Sequence, residues 1–386
     1  MKVLILTDGI TPFVIGGMQK HSFYLAKFLV LRGHEVTLVH CVPFGKTLPT
    51  QEDTVSAMDL PEGHQLKSIA LHFPQAGVMP GHYIKESYLY SKRVYDRIKG
   101  ELDTFDFIYI KGFAGWHLLA EKAKGQKMPP AGIKFHGYEM FQPPASFKSR
   151  FHHWLLRGPV KWNSLKADYV FSYGGKITPI IESIGVSRDR IIEIPTGIES
   201  GWLVKNADYK QKQPVQFVFV GRFERRKGIE ELNEALLSLL PAGGFHFHFI
   251  GPVPPSKKIK SESITYHGAV TDKAEMQRLL DQCQILVVPS HSEGMPNVIM
   301  EGMARSLAVI ATDVGAVSVV VDSSNGWLIA PASVDELRAA LQNAIECGPD
   351  VLNQKRRQSF EKVGMFFWEN VIIRTENEIS QRIAAQ

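Results

Sequence analysis

Two glutamates, Glu293 and Glu301, bracket the turn Gly294-Met295-Pro296-Asn297 in the stretch HSEGMPNVIMEGM (291–303). Glutamate is rare in buried positions unless it has a partner, yet Glu301 stands among Val298, Ile299, Met300 and Met303, the apolar residues of a core-facing helix. The preceding ILVVPS (285–290) reads as the end of a buried strand, and Pro296 is placed to open a helix at about Asn297. The free N–H groups at such a helix start can hold phosphate oxygens. Glu293 then lies ahead of the phosphate site, and Glu301 lies one turn inside, roughly 6 Å along the axis from Asn297. A carboxylate at each end accepts hydrogen bonds from neutral hydroxyls while amides hold the charge between them. That is the layout of a sugar, a diphosphate and a ribose. The plainer alternative is a surface glutamate followed by a helix glutamate paired with Arg305.

Three other segments fit the same chemistry. VGRFERRKG (220–228) puts Arg222 just past a strand end and Lys227 just before a helix. Arg offers a planar fork and Lys a point charge to a diphosphate, with Arg225 and Arg226 expected to face solvent. A basic loop without a ligand is the alternative. His136 ends the strand AGIKFH (131–136), where it can hydrogen-bond a sugar or act as a structural histidine. Gly16 and Gly17 open the first helix, either to let a ligand approach the backbone or as an ordinary turn; they do not form a G-x-G-x-x-G dinucleotide fingerprint.

The elements that must position these residues form two series. KVLILTD, EVTLVHC, FDFIYIK, AGIKFH and DYVFSY are apolar runs separated by helical patterns, as strands buried on both faces should be. The rhythm pauses at IPTGIESGW (194–202) and the polar 205–214, then restarts with VQFVFVGRF, FHFHFIG, ITYHGAV and ILVVPS. Alternating strand and helix implies parallel sheets covered on both sides. The expected fold class is therefore α/β, with two Rossmann-like domains of parallel sheet facing across a cleft. The boundary falls at about 196–214, giving domains over 1–198 and 199–366 and a terminal amphipathic helix at about 367–386. Ligands bind at the carboxyl ends of such strands, and the cleft between the domains is the expected site.

Composition bounds the rest. The 386 residues are 44% apolar and 22% charged, a globular balance with room for two cores. No apolar run is long enough to span a bilayer, and MKVLILTDGITPF reads as a first strand, not a signal peptide. Cys41, Cys283 and Cys347 are scattered without a CxxC, so neither a disulfide framework nor a zinc site is expected and a cytoplasmic location fits. No D-x-D, HExxH or Cys/His cluster indicates a catalytic metal, and no nucleic-acid-binding pattern is present. Residues 1–195 hold 24 Lys and Arg against 17 Asp and Glu, a net of +7 that leaves −2 for the remainder. Either the first half has an anionic partner or this is a solvated surface. SFKSRFHHWLLRGPVKWNSLKA (146–167) mixes aromatics with cations as an interfacial membrane helix would, but a solvated, half-buried helix is the favoured reading, and Gly158-Pro159 interrupts it and weakens a single-helix reading.

The segments GG (16–17), FHG (135–137), IPTGI (194–198), VGRFERRKG (220–228) and SEGMPNVIMEGMARSLAVIATDVGA (292–316) resemble the retaining glycosyltransferases of the GT-B fold, the group called glycosyltransferase family 4, whose E-x7-E element the last is similar to. The resemblance spans nearly the whole chain and implies a C-terminal helix crossing back to the first domain. It implies transfer of a hexose-type sugar from a nucleotide-diphospho-sugar, UDP- or GDP-linked, with retention at the anomeric carbon and no further cofactor; the basic first half and the Trp-rich stretch favour a glycan or lipid-linked acceptor, as in cell-surface polysaccharide or glycolipid synthesis. It also implies the roles: Arg222 and Lys227 on the leaving diphosphate, the amides of Asn297 and Val298 beside them, Glu301 on the ribose, Glu293 on the donor sugar, His136 facing that sugar, and Gly16, Gly17, Gly294, Met295 and Pro296 shaping the donor site. Contact of the basic first domain with a membrane is a further expectation. Ser306-Leu307-Ala308 and Gly315-Ala316 depart from the family pattern after the phosphate helix. A nucleotide-sugar 2-epimerase and a non-catalytic nucleotide-sugar-binding protein share the architecture and stay open.

Overall fold

A computed structural model describes residues 1–75, 77, 81–144, 146–207, 209 and 213–384. Part of the polar stretch expected to join the domains (208 and 210–212) and the last two residues of the expected terminal helix lie outside the described residues.

The chain builds two parallel sheets in succession. The first orders its strands β3-β2-β1-β4-β5-β6-β7, from β1 (Lys2–Leu6), β2 (Glu35–Val42), β3 (Leu66–His72), β4 (Phe107–Lys111), β5 (Ala131–Lys134), β6 (Tyr169–Ser172) and β7 (Ile191–Glu193). The second orders β10-β9-β8-β11-β12-β13, from β8 (Val215–Val220), β9 (Phe245–Ile250), β10 (Ile264–Gly268), β11 (Ile285–Val288), β12 (Ala308–Thr312) and β13 (Gly326–Ile329). Helices α1 (Gly17–Leu31), α2 (Gln51–Met58), α3 (His82–Ile98), α4 (Trp116–Ala123), α5 (Phe147–Lys166) and α6 (Ile177–Ser183) accompany the first sheet. Helices α7 (Ile229–Leu239), α8 (Lys273–Asp281), α9 (Asn297–Ala304), α10 (Val317–Val320), α11 (Val334–Glu346) and α12 (Gly348–Val363) accompany the second, and α13 (Trp368–Ala384) ends the description. Central strands such as β4, β5, β11 and β12 are buried at every position, which explains why their sequences lack polar alternation.

The 146–167 stretch holds together in spite of Gly158-Pro159, which weakens a single-helix reading of the sequence. It is one continuous helix, α5, with Pro159 inside it. Proline removes one backbone donor and crowds the preceding turn. A capping box at Ser146 and Ser149 starts the helix, and Val160, Asn163 and Ser164 are buried along it beyond the proline. Among the described residues, no helix is long and apolar enough to cross a membrane.

One hydrophobic cluster packs α1 and α13 on one face of the first sheet, while another runs from the opposite face across to Met295, Ile299 and Met303 of the second half. The chain returns to its first half at residue 367. Phe367 bridges Ile198, Trp368 is 1% exposed, and its ring meets His21, Tyr24 and Phe28 of α1. A side chain on Gly197 would overlap that indole, so this position admits glycine because of close packing. Trp368→Ala is expected to cost about 3–5 kcal/mol, and Trp154→Ala, 66% exposed on α5, to lie within about 0.5 kcal/mol of wild type. Urea midpoints of the two variants check the contrast, and equal midpoints would refute this anchoring role.

Candidate functional site

In each sheet the strand order reverses once, between β1 and β4 and between β8 and β11. Loops leave in opposite directions at such a switch point and open a crevice at the carboxyl edge. The segment after β8 contains Arg222 to Lys227, and the one after β11 contains Ser290 to Glu293. Across from them, Gly17 follows β1, Gly112 and Phe113 follow β4, and His136 follows β5. These segments enclose a cavity of about 590 Å³ lined by Gly17, His136, Lys227, Glu293, Met295, Pro296, Asn297 and Val298, among others.

Glu293, 6% exposed, is the centre of its polar wall. Lys227 Nζ lies 2.6 Å from its Oε1, Ser290 Oγ donates to the same oxygen at 2.7 Å, and Arg226 Nη1 is 3.4 Å from Oε2. Burial pushes the carboxyl pKa up, but the charges of Lys227 and Arg226 and the hydrogen bonds from Lys227 and Ser290 outweigh it, so the group sits below the ordinary glutamate value. Arg226 also pairs with Glu139 of the first half at 3.4 Å and donates to the Ser292 carbonyl at 3.0 Å.

Arg226 is thus a cleft residue, contrary to its expected exposure. Residues 225–227 form a single 3₁₀ turn, in which neighbouring side chains point about 120° apart, so Arg226 and Lys227 enter the cleft from different directions. Arg225 turns back and clamps Glu231 through two contacts of 2.7 and 2.6 Å. Arg222 does not line the cavity. Its side chain is 73% exposed and pairs with Glu224 at 3.1 Å, the nearer counter-charge.

The two halves touch through backbone beside this cluster. Gln142 Nε2 donates to the carbonyls of Gly137 (2.7 Å) and Glu293 (2.8 Å). A Cβ on Gly294 would overlap the His136 carbonyl, so Gly294 serves as a contact between the halves more than as cavity wall. Ala316 N–H donates to the Gly294 carbonyl at 2.7 Å, and Lys176 N–H to Gly315 at 2.8 Å, so the Gly315-Ala316 departure is absorbed into this contact. Ser306 takes a positive φ of 62° and its hydroxyl donates to Tyr209 at 3.0 Å, away from the cavity.

Pro296 caps α9, whose first amides, on Asn297 and Val298, have no carbonyl of their own helix to reach. Asn297 Oδ1 is a buried acceptor with no partner among the described residues. Glu301 lies one turn further on. It pairs with Lys20 of α1 at 3.2 Å instead of with Arg305, whose partner is Asp281. Glu301 lines a second, smaller cavity with Lys20, Glu199, Trp202, Val270 and Lys273. The two glutamates therefore face separate cavities at either side of one helix start. Gly16 is the N-cap of α1 and, unlike Gly17, does not line the main cavity.

On the opposite wall, the Tyr173 hydroxyl is 3.1 Å from His136 Nδ1. A phenol O–H is the stronger acid and an imidazole nitrogen the stronger base, so Tyr173 donates and the ring proton stays on Nε2, beside Gly17. Enclosure pushes the His136 pKa down to about 3, and Lys111 and Lys134 add to the shift. His136 is a neutral hydrogen-bond donor toward the cleft. Tyr173 was accessible to sequence reasoning because it follows β6 at the same sheet edge. Gln142 and Glu139 carry no comparable signal, because a loop residue's direction is set only when the halves meet.

Residues 15–201 match the family model described as Glycosyltransferase Family 4, and residues 214–347 the one described as Glycosyl transferases group 1. An uncharacterised glycosyltransferase of Methanocaldococcus jannaschii is 29% identical over 232 residues, 55% of this chain and 62% of that protein. A Bacillus subtilis glycosyltransferase named for teichuronic acid biosynthesis is 39% identical over 124 residues, 32% of this chain and 31% of that protein. The chain thus covers less than two thirds of the length of either relative. The structure of sucrose-phosphate synthase from Thermosynechococcus elongatus superposes with a TM-score of 0.76 over 100% of both chains at 18% identity, a likeness of fold.

The Tyr173 contact is open to a direct test. Nitrogen-15 NMR of the His136 ring should show a neutral Nε2–H tautomer from pH 8 down to pH 5, well above its depressed pKa of about 3. Tyr173→Phe should yield a mixture of tautomers without unfolding. An unchanged tautomer in that variant would remove the positioning role.

Proposed function

The chain belongs to the glycosyltransferases of the GT-B fold, and from that premise we propose that it moves a hexose-type sugar from a UDP- or GDP-linked donor to a glycan or lipid-linked acceptor in cell-surface polysaccharide or glycolipid synthesis. The observation that carries this reading is the polar wall at the start of α9: Lys227 and Arg226 around Glu293, with Asn297 and Val298 at a helix start whose first amides have no helical partner, lining one cavity with His136.

In this reading the diphosphate lies against the α9 amides. Lys227 and Arg226 offset the negative charge that develops as the bond between the anomeric carbon and the phosphate oxygen breaks. Arg222, at the end of β8, turns inward from Glu224 to join them. Glu293 accepts hydrogen bonds from donor-sugar hydroxyls, and its own pairing with Lys227 fixes where that cation sits. His136 donates from Nε2 to the sugar. Glu301 takes the ribose hydroxyls in the smaller cavity, where Trp202 and Val270 supply apolar wall for the base. The acceptor oxygen bonds to the anomeric carbon on the face the phosphate leaves, and its proton passes to the departing phosphate oxygen. Configuration is thereby retained. The cations and amides supply the counter-charge without a resident metal. The protein works in the cytoplasm.

Two measurements test the reading. A UDP- or GDP-sugar at one hundred times its dissociation constant should stabilise the fold by about 2.7 kcal/mol, read as a raised melting temperature. Lys227→Ala should lower turnover by roughly 10²–10³-fold, the scale of losing one preorganised charge-stabilising contact, while the variant stays folded. Wild-type turnover in that variant, or epimerised sugar released from donor alone, would overturn the transferase assignment.

A further inference from the structure

Helix α5 has two faces that the transfer reaction alone does not explain. Phe147, Phe151 and Trp154 recur at i, i+4 and i+7 and form one stripe. They are 88%, 51% and 66% exposed, and the Phe151 and Trp154 rings stack at 6.1 Å. Isolated surface aromatics need no explanation, but three in register on one helix form an apolar patch that water disfavours. Residues 146–167 also contain Lys148, Arg150, Arg157, Lys161 and Lys166 and no acidic residue. Lys148, Arg150, Arg157 and Lys161 are exposed.

The opposite face of the same helix reaches the main cavity. Leu156 is two residues beyond Trp154, about 200° round the helix, and lines the cavity together with Val160 one turn on. Met18, Tyr83, Phe113, Phe135, Tyr138 and Met140 continue that wall. The cavity is therefore chemically divided, with charged and amide groups on the second half and aromatic and aliphatic groups on the first. Aromatic rings can stack on sugar faces, but Met18, Met140, Leu156 and Val160 offer only hydrocarbon contact.

We propose that the Phe147, Phe151 and Trp154 stripe docks α5 onto an anionic phospholipid bilayer, and that the acceptor is an amphiphile whose hydrocarbon portion enters along the apolar wall. The bilayer is favoured over a protein partner by charge complementarity: the helix has aromatic side chains suited to the headgroup–acyl boundary and cations of a single sign beside them. Docking there brings the apolar wall, one helix thickness away, to the membrane surface from which such an acceptor extends. This identification of the acceptor class rests on the transferase reading above, whereas the docking itself does not.

The test is sedimentation of the full chain with vesicles of phosphatidylglycerol and phosphatidylcholine, or of phosphatidylcholine alone. Wild type should pellet with the anionic vesicles and be released by high salt, and Trp154 emission should shift to the blue on binding. A variant with Phe147→Ser, Phe151→Ser and Trp154→Ser should bind about tenfold more weakly or worse. Lys148→Glu with Arg150→Glu should abolish the preference for anionic vesicles. The melting-temperature rise with a UDP- or GDP-sugar should be the same in all three proteins. Wild type remaining in the supernatant with anionic vesicles, or the aromatic variant binding as well as wild type, would overturn the proposal. Loss of the nucleotide response in wild type alone would overturn the transferase reading and leave the docking intact.

Discussion

A carboxylate taken out of water costs several kcal/mol unless opposite charge and hydrogen bonds replace its hydration, and Glu293 is such a group. Its compensation comes from two chain segments: Lys227 and Arg226 after β8, and Ser290 after β11. Gln142 of the first half ties down the same residue's carbonyl. The buried charge therefore fixes the register of the cleft. The cations cannot relax into solvent without stranding Glu293, and the first half cannot withdraw without releasing the Glu293 carbonyl. A hydrophobic contact could join these segments as firmly, but it would not leave Lys227 and Arg226 at the cavity wall with their directions set.

Topology makes this possible. The β8/β11 switch point brings a turn and a helix start to one edge, and the β1/β4 switch point does the same opposite, so four short segments converge without a long loop. Helix α9 is used twice. Asn297 and Val298 at its start line one cavity, while Glu301, one turn along, lines another and meets Lys20 of α1. Close approach of the halves then depends on the absence of side chains at Gly294 and Gly137, where added Cβ atoms would collide with the facing backbone.

Much of this was legible in the sequence, for physical reasons. Strands buried on both faces leave continuous apolar runs, so both sheets announced themselves, and a proline before an apolar run marked the start of α9. Residues fixed by such elements, including Lys227, Glu293, Asn297 and His136, were found at the cavity. Residues whose direction depends on a single turn were not: Arg226 and Arg222 look alike in VGRFERRKG, yet the 3₁₀ turn sends one inward while Glu224 draws the other out. Contacts between the halves, such as Lys20 with Glu301 and Gln142 with Glu293, join residues 281 and 151 positions apart, and nothing local encodes them. Helix α5 passed through Pro159 because the Ser146–Ser149 capping box and the burial of Val160, Asn163 and Ser164 outweigh the one backbone bond that a proline rule counts alone.

The floor of the first half shows how burial selects chemistry. Lys111 and Lys134 are fully buried at paired positions of β4 and β5. Lys134 donates to the Ile194 carbonyl at 3.1 Å and lies 3.8 Å from the Tyr173 ring centre, while Lys111 Nζ has no hydrogen-bond partner among the described residues and is balanced electrostatically by Asp8. Burial lowers the Lys111 pKa to about 7 and raises that of Asp8 to about 6. Such a pair is costly, and packed hydrophobic residues would serve stability as well. Burial also lowers the Lys134 pKa well below the ordinary lysine value, so enclosure is the larger force keeping His136 neutral and the two lysines add to it only while they are protonated. With burial and two lysines both opposing its protonation, His136 stays neutral across the physiological range and acts through a directed N–H instead of a mobile proton. The donor sugar then meets a fixed dipole from the first half and fixed charge from the second. A transfer in which the leaving phosphate takes the acceptor's proton asks no more of the protein than that.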